Sequence, residues 1–240
     1  MLELWHEWNS VHSFKVRVVL AEKGLAWESH RLELLKFEHL QPQYLRLNPN
    51  GVVPTLVHDG RTILDSSVIC QYLDEQFAKP SLLPADPYAR AQARGWLKYF
   101  DDVLHPALRA VSFERLYRPL LAALPREELE QRLATHPNPA RAKAFLVADA
   151  APADLAPFHR AIERIEGALS AQWLSGERFG MADVALAPCA ERLAHLGLDH
   201  LWAGHPKVAA WIARLLDHPS VRAAQAPAQF RFSVFSPRAY

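Results

Sequence analysis

Apolar and polar residues follow two different rhythms along this chain. Up to about residue 77 the pattern switches between strand and helix periods. Residues 2–6 read as a short strand, and Ser13–Lys23 read as a helix with Val16, Val19 and Leu20 on one face and Gly24 as its stop. Trp27–Leu34 alternates like a second strand, and Leu40–Leu47 is expected to form a short helix ending before Asn48-Pro49. A Val-Val-Pro-Thr-Leu run then leads into a strand, Asp59-Gly60 turns it, and a fourth strand follows. Asp-Gly between apolar runs is a strong hairpin signal, because tight primed turns need positive φ. Asp65-Ser66-Ser67 opens a helix running to Gln76. The order βαβαββα predicts a thioredoxin-like α/β unit over residues 1–77.

Three prolines between residues 78 and 87 mark a linker. From Tyr88 onward only the helical rhythm remains, so residues 88–240 are expected to form an all-α bundle. Ala93, Trp96, Leu97, Phe100 and Leu104 recur at helical spacing, and His105-Pro106 should bend that helix. Pro125-Arg126-Glu127-Glu128 looks like a helix start. Further helices are predicted over Pro157–Trp173, Gly180–Leu196 and Lys207–Leu216, whereas the Pro- and Ala-rich stretch 135–156 has no clear period. At Gly180 the cap has no side-chain oxygen, so Asp183 is expected to cap the preceding amides, with Phe179 stapled on Val184; glycine there should cost only a few tenths of a kcal/mol relative to better caps. The tail carries Phe230, Phe232, Val234 and Phe235 and should dock on the fold.

Composition removes several classes of function. A net charge of +1 provides no basic footprint for nucleic acid. No apolar run reaches the roughly 18–20 residues of a membrane span, and the acidic N-terminus is unlike a signal peptide. Cys70 and Cys189 are far apart and there is no CxxC, which suits a reducing, cytoplasmic setting and argues against disulfide or dithiol chemistry.

What remains is the chemistry of residues 48–72. Pro54 has no amide hydrogen and belongs at an edge or bend. A cis Val53-Pro54 bond would turn the backbone N–H and C=O of Val53 outward to pair with an extended peptide. The helix opening at Asp65-Ser66 offers free backbone N–H groups and a positive dipole end to a carboxylate, and Asp65 offers an anion to an ammonium. The ligand that fits is a small zwitterionic peptide.

VVPTLVHDGRTILDSSVICQYLDEQF resembles the glutathione-binding half of the cytosolic glutathione transferase family, as does WNSVHSFKVRVVLAEKGLAWESHRLEL. ERFGMADVALAP is similar to the buried helix start of that family. The likeness covers nearly the whole chain and implies glutathione as co-substrate, no metal, a cytoplasmic homodimer, and attack of a glutathione thiolate on a small hydrophobic, aromatic electrophile. The thiolate donor implied by serine-type members is Ser10, with Ser13 as its rival; Ser13 is also a natural N-cap for the helix. His12 either tunes the local field, meets the second substrate, or is an exposed loop residue, and Asn9 either donates to the sulfur or holds the loop. Val53 and Pro54 would present the peptide-pairing backbone, Asp65 and Ser66 the γ-glutamyl site, and His39 the glycine carboxylate site. Tyr99, Phe100, Asp102, Leu104, His105, Phe113 and Tyr117 are the candidates for the second-substrate pocket. Several segments also look similar to the bacterial beta-etherase-like branch, which cleaves aryl ethers. The competing expectations are a non-catalytic interaction module and a carrier of hydrophobic ligands on the same fold.

Overall fold

The structure is a computed structural model and describes residues 1–121, 124–134, 136–139, 142 and 153–233. A four-stranded sheet has the order β2-β1-β3-β4, with β1 Leu2–His6, β2 Glu28–Arg31, β3 Thr55–His58 and β4 Arg61–Leu64. β1 runs parallel to β2 and antiparallel to β3, in a register that faces Leu4 with Leu56. Asp59 and Gly60 both have positive φ, 49° and 76°, as a primed two-residue hairpin requires. α1 (Val11–Glu22) and α3 (Ser66–Gln76) pack against the sheet through Val16, Val19, Leu20, Ile69 and Leu73, all fully buried. α2 (Pro42–Leu47) follows two short 3₁₀ turns at Leu34–Lys36 and Glu38–Leu40. β2 is therefore shorter than the alternation of 27–34 suggested, because the chain turns at Leu34.

One expectation is overturned at the start of α1. The helix begins two residues before Ser13, and its N-cap is Ser10, whose Oγ accepts from the Ser13 amide at 3.2 Å.

The segment between the α/β unit and the helices is tied to its surroundings. Lys23 Nζ donates to the carbonyls of Phe77 and Pro80, both at 2.7 Å, and Asp74 accepts from the amides of Leu82 and Leu83. The Lys79-Pro80 bond is cis. α4 (Pro87–Tyr99) passes through a π-helical segment, Phe100–Leu104, into α5 (His105–Ser112). Pro106 lies in the first turn of α5, so the backbone donor it lacks falls where the hydrogen-bond ladder is already widened. A second π segment, Phe113–Tyr117, extends the same wall.

The later helices are Arg126–Leu133, Ala156–Ala168, Met181–His195, Pro206–Asp217 and Pro219–Ala223. Met181–His195 is buried along most of its length and lies between the two halves, which share one continuous core. Asp183 caps as expected, accepting from the amides of Leu174 (2.8 Å), Ser175 (3.2 Å) and Gly180 (3.1 Å), and also from the indole of Trp211 (2.8 Å). Burial pushes its carboxyl up, against the pull of these donors.

At Gly180 the structure adds to the sequence reading. A Cβ there would lie 2.8 Å from Ser175 Cβ and 2.9 Å from the Leu82 carbonyl oxygen, so close approach, not mere tolerance of a weak cap, requires glycine. The Phe179 ring stacks on His218 at 4.0 Å. Most of stretch 135–156, together with Val234 and Phe235, lies outside the described residues.

Candidate active site

The loop between β1 and α1 is held rigidly from below. Arg17, buried on α1, donates to the carbonyls of Glu7 (3.2 Å) and Trp8 (2.9 Å). The Asn9 carbonyl accepts from Arg192 Nη2 at 2.5 Å. The Asn9 side chain donates to the Phe230 carbonyl at 2.7 Å and to Glu7 Oε1 at 3.2 Å, while its Oδ1 accepts from the Phe232 amide at 3.0 Å. Its amide hydrogens are thus committed to the tail and the loop, and the loop-holding role is the one the geometry displays. The described part of the tail docks here as expected, with the Phe230 ring stacked on Trp8 and the Arg31 guanidinium 4.3 Å from the Phe230 ring.

This support leaves Ser10 partly exposed at the rim of α1, on the wall of a cavity of about 160 Å³. Ser13 is fully buried, its Oγ has no hydrogen-bond partner, and it does not line the cavity. The two serines are therefore unequal. Ser10 uses a lone pair to cap the helix and keeps its hydroxyl hydrogen for the cavity, next to the positive end of α1.

The turn before β3 lines the same cavity. Val53-Pro54 is cis. Tyr44 Oη and Asn48 Nδ2 donate to the Val52 carbonyl at 2.6 and 2.8 Å, and Asn48 also donates to Thr55 Oγ1 at 2.9 Å, which fixes the turn on both sides of the proline. Burial pushes the Tyr44 hydroxyl up to about 12, so it stays protonated. Val53 and His39 both line the cavity, and among the described residues nothing takes the Val53 backbone N–H or C=O.

Asp65 and Ser66 lie one step back from the enclosed space. Asp65 (φ 70°) caps α3 by accepting from the Ser67 and Val68 amides at 2.9 and 3.1 Å. Ser66 Oγ bonds His12 Nδ1 at 2.8 Å, and the His12 ring, which does line the cavity, sits 4.0 Å from that of His105. Next to Ser66, Ser67 Oγ accepts from Lys15 Nζ at 2.6 Å and donates to Asp101 Oδ2 at 2.5 Å; Lys15 Nζ also lies 3.0 Å from Asp101 Oδ1. This triad, buried at Lys15 and Ser67 and half-buried at Asp101, joins α1, α3 and the first π segment.

The helical wall corrects part of the expected substrate pocket. His105, Phe113 and Tyr117 line the cavity. Phe100 is fully buried in the core, and Tyr99 faces Trp96 with Arg164 4.3 Å from its ring, so neither reaches the cavity. Leu104 is core as well, and Asp102 is exposed in an ion pair with Lys98. The helical period explains this: the stripe holding Ala93, Trp96, Leu97, Phe100 and Leu104 is the buried face. Sequence reasoning passed over Arg109, Ser112 and Arg192, which also line the cavity. Their only signal was spacing: His105, Arg109 and Ser112 lie four and three residues apart. Burial lowers the Arg109 guanidinium from its ordinary value and raises the Tyr117 hydroxyl.

With this geometry in place, two family models match the chain: Glutathione S-transferase, N-terminal domain, over residues 9–76, and Glutathione S-transferase, C-terminal domain, over residues 148–214. A probable glutathione S-transferase, parC of Nicotiana tabacum, is 30% identical over 224 residues, covering 89% of this chain and 84% of the relative. The chain belongs to the glutathione S-transferase family. It is also similar to Protein LigF of Sphingobium sp., 28% identical over 235 residues, with 92% of this chain and 91% of the relative covered. The crystal structure titled beta-etherase LigF matches with a TM-score of 0.85 and 26% identity, covering 93% of this chain and 98% of the other. A stringent starvation protein A homolog of Pasteurella multocida is 27% identical over 230 residues, covering 92% of this chain and 88% of the relative.

The cavity brings the Ser10 hydroxyl at the N-terminus of α1, the Val53 backbone and an apolar wall into one space. The apolar lining includes Leu34, Leu35, Phe37 and Phe113.

Proposed function

We propose that this transferase activates glutathione at Ser10 and delivers its sulfur to a small aromatic electrophile. Glutathione would lie along the cis-Pro54 turn, its cysteinyl backbone paired with Val53, its glycine carboxylate toward His39, and its γ-glutamyl group at Asp65 and the start of α3. The free thiol ionises near pH 8–9. At the bound sulfur, the Ser10 hydroxyl and the α1 dipole favour the anion, so the proton leaves to solvent and no general base is needed. The thiolate then forms a C–S bond at the electrophilic carbon while the leaving group departs with the bonding pair. With an aryl ether the leaving group is an aryloxide, which takes a proton from water. His12, hydrogen-bonded to Ser66 and packed on His105, is the group that couples the glutamyl end of the site to the second substrate.

The observation that carries this reading is the position of Ser10: capping α1 through its oxygen, on the wall of the cavity that Val53 also lines. Among the described residues no helix is long and apolar enough to cross a membrane, and the proposed setting is the cytoplasm, as a homodimer in keeping with the family. Calorimetric titration with glutathione, followed by product analysis with a panel of chloronitroarenes and aryl ethers, tests the proposal. Saturable binding and conjugate formation support it; no binding at millimolar glutathione rejects it. Binding without turnover across the panel would instead favour the non-catalytic module.

A further inference from the structure

The helical wall holds more polar chemistry than an apolar electrophile uses. His105, Arg109 and Ser112 share one face of α5 and open on the cavity. Ser112 is only 5% exposed and its Oγ has no hydrogen-bond partner. Arg192 reaches the same space from helix Met181–His195 and is 4% exposed. Its Nη2 holds the Asn9 carbonyl, but its Nε has no partner, and among the described residues no carboxylate lies within 4.0 Å of its guanidinium. Among the described residues that line the cavity, none is Asp or Glu.

A buried hydroxyl and a buried guanidinium nitrogen without partners are costly in an apolar setting, and an anionic oxygen would satisfy both. In the glutathione reading the tripeptide's own carboxylates belong to the α/β wall, at His39 and the start of α3. The unmatched groups stand on the helical half, Ser112 on α5 and Arg192 on helix Met181–His195, where the second substrate would lie. Resting on that reading, we propose that the electrophile is an aromatic acid, a single ring bearing a carboxylate that seats between Arg109, Ser112 and Arg192. The ring then lies on the apolar lining with its electrophilic carbon toward the sulfur at Ser10. The reaction balances as before: C–S forms, C–Cl or C–O breaks, and the carboxylate is unchanged.

The test compares the glutathione conjugates of p-chloro-m-nitrobenzoate and of its methyl ester, with affinities read by calorimetry on the whole protein. These ligands need no turnover and differ in the charge and one methyl group. The acid conjugate is expected to bind about 10- to 100-fold more tightly. The R109Q variant should narrow that ratio, and R109K should restore most of it. S112A provides a second reading of the narrowing if R109Q does not fold. Equal affinities, or a preference for the ester, overturn the proposal. Glutathione alone, titrated in parallel, separates the two readings. If it binds while the conjugates are equal, only the acid site is lost; if it does not bind, the transferase reading and this inference fall together.

Discussion

Neutralising Asp101 should unlatch the two halves of the molecule. Lys15 is fully buried, and its ammonium has two oxygen partners, Ser67 Oγ at 2.6 Å and Asp101 Oδ1 at 3.0 Å. In D101N the ammonium stays in place and loses its counter-charge. Removing one member of a buried ion pair costs about 3–5 kcal/mol. The Asp101 side chain is 26% exposed, so water screens part of the loss, and about 2–3 kcal/mol is expected. For a chain of 240 residues that corresponds to a fall in Tm of roughly 4–12 °C. Thermal and urea unfolding measure it. Removing both charges in K15M/D101L should recover at least half of the loss, because no orphaned charge remains. A D101N protein within about 0.5 kcal/mol of the parent would refute the reasoning and reduce the triad to a surface-like pair. Because Ser67 follows Ser66, D101N should also loosen the first turn of α3 and raise the Kd for glutathione.

Three further outcomes follow from particular contacts. G180A forces a Cβ to 2.8 Å from Ser175 Cβ and 2.9 Å from a backbone oxygen, and should cost about 1–3 kcal/mol in urea unfolding; an unchanged midpoint would show that the turn gives way freely. N9A removes the partners of the Phe230 carbonyl and the Phe232 amide, so hydrogen exchange at Phe232 should speed up markedly; retained protection would mean that the ring contacts alone hold the tail. Burial and the Arg17 and Arg31 charges push the imidazole of His6 down to about 3, whereas in the unfolded chain it titrates near 6.5. Between those values the unfolded state binds the extra proton, so stability falls as pH falls, by up to about 1.4 kcal/mol per unit from this group. In H6Q the acid-side slope should be shallower by a measurable part of that; identical slopes would contradict the assignment.

Local signals in the first 77 residues carried much of the fold. Asp59-Gly60 specified its turn through backbone sterics alone, and Asp65 capped α3 as its residue type suggests. Both are decided by neighbours in sequence. The start of α1 was misplaced because Ser10 and Ser13 are equally good caps by type, and only the buried surroundings of Ser13 separate them. Tyr99 and Phe100 were expected in the substrate pocket, but a helix has one inward stripe, and theirs faces the core and Arg164. The pocket face lies further along, beyond a π segment that changes the helical phase in a way that spacing cannot anticipate. The clamp on Asn9 and the reach of Arg192 join residues about two hundred positions apart, and no local pattern encodes such contacts. The missing room at Gly180 is likewise a tertiary fact, set by Leu82 and Ser175.

The most direct measurement is the ultraviolet titration of the thiolate of glutathione bound to the parent protein, to S10A and to S13A. A lost charge-assisted hydrogen bond of about 1.5–3 kcal/mol is equivalent to a shift of roughly 1–2 pH units. The bound sulfur should ionise well below the free thiol in the parent, 1–2 units higher in S10A, and as the parent does in S13A. A sulfur that titrates alike in the parent and S10A, or that rises only in S13A, would contradict the assignment of Ser10.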